Sequence, residues 1–142
     1  ELRGRGEIEM KLGNLCVINA VIAGLFGLAF VFAPARLLAQ YGLAVDPGLG
    51  LIAQLFGAAL IGYAILTWQA RNAGESDARR AIVFALFVAD GVAAVIALMG
   101  QLRGFVNSLG WSTVVIYLLL GIAFGYFCFS KPEAPGQTGQ AI

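Results

Sequence analysis

Polar residues almost vanish from four stretches of this chain, residues 12–33, 49–68, 81–100 and 111–129, and gather between them. Each stretch has about 20 residues, which as a helix at 1.5 Å per residue matches the hydrocarbon thickness of a bilayer. None shows the strict apolar–polar alternation of a membrane strand, and an isolated span in lipid must satisfy its own backbone hydrogen bonds. The pattern predicts an all-α, polytopic membrane protein, with four transmembrane helices forming an up-down bundle over residues 12–130. One ionisable residue, Asp90, interrupts the third stretch.

The connections add detail. In "ARLLAQYGLAVDPG" (35–48), Leu37, Leu38 and Tyr41 recur at helical spacing beside Arg36 and Gln40, so a short helix over 35–43 is expected to lie on the membrane surface. Asp46-Pro47-Gly48 then turns the chain back. "NAGESDARR" (72–80) is a polar loop in which Ser76 suits the N-cap of the third span and Asp77 its positive end. Trp68 and Trp111 stand at span ends, where interfacial aromatics belong. "APA" at 33–35 imitates a signal-peptide cleavage site, but the apolar run before it is too long for a signal sequence and reads as a true span. The Pro-, Gly- and Gln-rich tail at 131–142 is expected to be disordered. Residues 1–11 read as an N-terminal tail. Met10-Lys11 has the form of a natural start, so residues 1–9 are either native or an addition ahead of it.

Charge orients the spans. Arg3, Arg5, Lys11, Arg71, Arg79, Arg80 and Lys131 fall on one side, and only Arg36 and Arg103 on the other. By the positive-inside rule both termini are expected in the cytoplasm. The net charge of +1 gives no electrostatic basis for binding nucleic acid. The chain is 60% hydrophobic and 12% charged, about half the charged share of a soluble domain. Histidine is absent, which removes the commonest metal ligand and the usual general base near neutrality. Cys16 and Cys128 lie in apolar runs and are expected to be inert thiols. No catalytic or phosphate-binding motif is present, so no cofactor, no metal and no enzymatic activity are expected.

Helices in lipid associate through close packing of small residues and through polar contacts. The third span carries alanines at 81, 85, 89, 93 and 97, and the fourth carries Gly121 and Gly125. Small residues at the same spacing recur as Ala20/Gly24 and Ala23/Gly27 in the first span and Ala58/Gly62 in the second. Ala85, Ala89, Ala93, Ala97, Gly121, Gly125, Gly24 and Gly27 are therefore the expected helix-packing positions. The third helix is expected to touch at least two others.

Asp90 is the candidate for chemistry. It lies about 13 Å from the cytoplasmic end of its span, with Asn19 at about 11 Å and Gly121 at about 12 Å in theirs. Asp90 and Asn19 are thus placed to meet at one level, where a glycine leaves room. An Asp at a helix centre costs about 2.5–3.5 kcal/mol on insertion scales, so its side chain is expected to face protein rather than lipid. No Lys or Arg lies inside any span. A dry site then favours the neutral acid, which donates one hydrogen bond and accepts another, as an amide partner requires. Two roles follow: glue between helices, worth about 0.6–2 kcal/mol, or a site for a proton, a cation or a polar ligand.

"MKLGNLCVINAVIAGLFGLAFVFAP", "YGLAVDP", "LFGAALIGYAILTW" and "NSLGWSTVVIYLLLGIAFGYF" together resemble small bacterial four-helix membrane proteins of the DoxX type. That resemblance implies a bacterial inner-membrane protein and supplies no activity. The leading expectation is a non-enzymatic protein that works by association, with the bilayer around it and other membrane subunits or copies of itself as partners. The alternative is a small proton- or cation-coupled transporter or channel that uses Asp90.

Overall fold

The computed structural model describes residues 2–130, in five helices: α1 Leu2–Phe32, α2 Pro34–Gln40, α3 Pro47–Ala70, α4 Asp77–Leu102 and α5 Gly110–Phe129. The tail at 131–142 lies outside the described residues. Four of the helices, all but α2, are long and apolar enough to cross a membrane. Large apolar side chains stand exposed on each of them, among them Leu25, Ile52, Ile96 and Ile122. Such a surface is untenable in water and natural in lipid, and it suggests a multi-pass membrane protein.

Local chemistry sets the ends. Asp46 caps α3 by accepting from the Leu49 amide at 2.9 Å, with Pro47 in the first turn, where its missing N–H costs nothing. Ser76 caps α4, accepting from the Arg79 amide at 3.2 Å, and Asp77 follows in the first turn. Helix α1 starts at Leu2, well ahead of the apolar stretch. No proline precedes Pro34, and a helix already nucleated in the span extends at one hydrogen bond per residue.

The helices form two antiparallel pairs. In the first, α1 lies on α3: Gln54 Nε2 donates to the Val31 carbonyl at 3.0 Å near one end, and Asn19 Nδ2 to Thr67 Oγ1 at 3.3 Å farther along. Their closest crossing is at Gly27 and Gly57. A Cβ on Gly57 would sit 2.7 Å from Phe30 Cβ, 2.8 Å from the Gly27 carbonyl oxygen and 2.9 Å from the Val31 nitrogen, so only glycine fits. In the second pair, α4 lies on α5, where Gly125 makes room for the Phe87 ring.

The pairs join at both ends. Toward the start of α4, Leu12, Cys16, Ala70, Val83, Leu86, Leu120 and Phe124 form one buried cluster. At the opposite end, Asn107 donates from its backbone to the Tyr41 carbonyl at 3.0 Å and from its side chain to the Gln40 carbonyl at 2.7 Å. Tyr41 and Thr113 share a hydroxyl hydrogen bond of 3.0 Å there.

The small-residue expectations meet the structure unevenly. Gly27, Gly121 and Gly125 are buried, and Gly24 is half-buried against Ala64. On α4, however, Ala85 and Ala89 are exposed in the single chain, while Ala93 and Ala97 are half-buried. The buried face is Arg79, Val83, Leu86, Asp90 and Ala94. A stripe at every fourth residue drifts by about 40° per step on a helix of 3.6 residues per turn, so the alanines wind from the outside toward the interior. On α3 the contact face is Ala53, Gly57, Ala64, Thr67 and Ala70, and Ala58 and Gly62 point away. Helix α4 packs chiefly on α5 and touches α3 only lightly.

Candidate functional site

The α4 face that carries Val83 and Leu86 also carries Asp90, one turn farther along, and so aims a carboxyl at protein. Asp90 is 3% exposed. On one side α5 offers Gly121, where even a Cβ would stand 3.7 Å from that of Asp90. On the other, Tyr63 reaches across from α3 and donates its hydroxyl to Asp90 Oδ1 at 3.2 Å. This bond crosses the shallow contact between the two helix pairs. The second carboxyl oxygen, Oδ2, is buried and has no hydrogen-bond partner among the described residues.

Asn19 is 2% exposed and occupies the facing side of α1. Its amide donates to Thr67, and the Thr67 hydroxyl donates in turn to the Tyr63 carbonyl at 2.8 Å. Asn19 and Asp90 therefore reach the same region but do not bond to each other among the described residues. Tyr63 and Thr67 stand between them and take the partnership that depth alone would assign to the pair. Both partners lie on α3 one turn apart, which lets one helix face serve both polar groups.

Above these groups the pairs separate and leave a cavity of about 210 Å³. Asn19, Tyr63, Asp90 and Leu120 line its floor; Phe26, Phe30, Leu60 and Ile116 line its walls. Leu38, Tyr41, Leu43 and Val106 line the end next to α2, where the Tyr41–Asn107–Thr113 bonds tie the pairs together. At the floor end the buried cluster around Phe124, which is 0% exposed, closes the space. The cavity is therefore stopped at that end, apolar along its length and polar at its base.

Asp90 is the only Asp or Glu among the cavity-lining residues, and none of them is Lys or Arg. Cys16 is buried in the neighbouring cluster, and neither Cys16 nor Cys128 is in a disulfide. Among the described residues no three His, Cys, Asp or Glu side chains come close enough to hold a metal ion. The arrangement can take up a small molecule and offer it a hydrogen-bond acceptor.

Comparison with known proteins gives a family and no close relative. No curated protein and no solved structure matches the chain. A family model described as a domain of unknown function, DUF8292, matches residues 2–130, all of the described residues, and the chain therefore belongs to the DUF8292 family.

Proposed function

We propose that this chain is a multi-pass protein of the bacterial cytoplasmic membrane that holds a small, largely apolar molecule inside the bilayer without transforming it. One observation carries the reading: a cavity of about 210 Å³ lined in part by Asp90, whose buried Oδ2 has no hydrogen-bond partner among the described residues. Burying an unpaired polar atom is costly, and native folds pair such atoms with protein, water or ligand. The closed base argues for binding rather than for a conduit through one chain. The end that carries Lys11, Arg71, Arg79 and Arg80 faces the cytoplasm by the positive-inside rule, so the α2 end of the cavity faces outward.

The test is a thermal-stability screen of the purified protein in lipid nanodiscs against small apolar compounds. Some compounds should raise the melting temperature of the wild type and leave Ala23→Phe unmoved, because the new ring projects into the cavity that Ala23 lines. A panel that shifts neither protein, or shifts both alike, refutes the reading.

A second reading, an accessory subunit or homo-oligomer, is supported by the outward turn of Ala81, Ala85 and Ala89. Small residues on a lipid-facing helix allow a second helix to approach closely. Native mass spectrometry from mild detergent tests it, and a monomer without companions in several detergents counts against it.

A further inference from the structure

Resting on the cavity reading, we infer that the ligand is a compact primary amine with an apolar body. As a carboxylate, Asp90 leaves one acceptor open at the floor. The Tyr63 hydroxyl donates to Asp90 Oδ1, and one N–H of the Asn19 amide goes to Thr67. Among the described residues Asp90 Oδ2 is the buried side-chain atom left without a partner, and an amino group supplies the N–H it lacks. The Tyr117 hydroxyl, also on the lining, rotates to donate or accept.

Charge points the same way. Asp90 is the sole acid on the lining, and no lysine or arginine stands there to balance it. Buried charges are stable when paired, and a cationic head group is the partner that the protein itself withholds. A neutral amine that takes the proton of the acid and an ammonium that meets the carboxylate end in the same ion pair. An anionic head group would find no lysine or arginine on the lining to pair with.

Size and lining describe the rest of the molecule. A cavity of about 150 Å³ accommodates benzene, so 210 Å³ takes about eight or nine heavy atoms. Phe26, Phe30 and Leu60 form the wall against which the body packs, which suits an aryl or short alkyl group.

The experiment is isothermal titration calorimetry on the protein in phosphatidylcholine nanodiscs, with 2-phenylethylamine, 2-phenylethanol and ethylbenzene as a matched set. Empty nanodiscs and the Ala23→Phe protein give the background from partition into lipid. The amine should bind the wild type at least tenfold more tightly than the alcohol. Asp90→Asn, which keeps the shape but not the charge, should remove that preference and leave the alcohol in place. Equal binding of amine and alcohol to the wild type overturns the amine assignment while the cavity reading stands, and so does an amine preference that survives Asp90→Asn. If no member of the set binds the wild type above background, both fall. Should Asp90→Asn fail to fold, the wild-type ratio alone decides, and a ratio under tenfold overturns the assignment.

Discussion

Replacing Gly57 by alanine should pry apart the first helix pair, and the geometry fixes how hard. The added methyl would meet three atoms at 2.7, 2.8 and 2.9 Å, where ordinary contact begins at 3.4 Å. Two of the three, the Gly27 oxygen and the Val31 nitrogen, are backbone of α1 and cannot rotate away. The helices must therefore separate by several tenths of an ångström, and a gap of 0.5–1 Å forfeits a quarter to a half of each dispersion contact along the seam. Overpacking of this kind costs about 1–3 kcal/mol. Alanine returns about 1 kcal/mol as the better helix former, which leaves a net loss of about 0–2 kcal/mol. Gly62, five residues on, supplies the control: a methyl there meets nothing within 4 Å, so Gly62→Ala keeps only the propensity gain. The two variants should differ by the overpacking cost, about 1–3 kcal/mol, or about five- to 150-fold in the unfolding equilibrium. Reversible unfolding in mixed detergent–SDS micelles, followed by far-UV circular dichroism, reads the difference. If Gly57→Ala proves as stable as Gly62→Ala, the Gly27–Gly57 crossing is not the contact that holds α1 to α3.

Two further outcomes follow from the ends of the bundle. Asn107→Ala removes the side-chain bonds to the Gln40 carbonyl at 2.7 Å and from the Leu109 amide at 2.9 Å. It should cost about 1 kcal/mol and speed hydrogen exchange in α2, and unchanged exchange there would show that α2 is held by something else. In a chain with Cys16 and Cys128 replaced by alanine, Ser108→Cys should react with a membrane-impermeant maleimide in intact cells and Asn72→Cys only after lysis; the reverse pattern would invert the proposed orientation.

The four spans were legible because lipid imposes one rule on every residue of a span, and a run without charge records it directly. The caps were legible for a similar reason: Ser76 and Asp46 act on amides three residues away, so sequence spacing and spatial spacing coincide. The helix contacts were less so. Ala85 and Ala89 belong to a stripe at every fourth residue, which looks straight in sequence and winds around a real helix. Gly57 carried no small partner four residues along on its C-terminal side, since that place is Ile61, and so did not stand out beside Ala58 and Gly62. Ala53 four residues before it was the available signal. The partner of Asp90 was hidden for another reason. Tyr63 stands at another depth, about 10 Å from the end of α3 at Ala70, and its long phenol covers the remaining distance to the carboxyl.

The cavity follows from how the chain distributes bulk. Within each pair the seam is built from small residues: Gly27, Gly57 and Ala64 in one, Gly121 and Gly125 in the other. Between the pairs, above the cluster at Phe124, stand Phe26, Phe30, Tyr63 and Tyr117, whose rings hold the pairs apart. In water a hydrophobic drive would press such a gap closed. In lipid that drive is absent, because hydrocarbon outside is as apolar as the cavity wall. Empty space still has a cost in lost contacts, about 24 cal/mol per Å³ in a soluble core, which for 210 Å³ is about 5 kcal/mol. That is a large fraction of the stability of an ordinary domain. A chain that needed only a tight bundle would remove this cost by enlarging Ala23 or by exchanging Asp90 for leucine, and either change lies within one side chain. On the proposed reading, an occupant restores the missing contacts and gives Oδ2 its hydrogen bond.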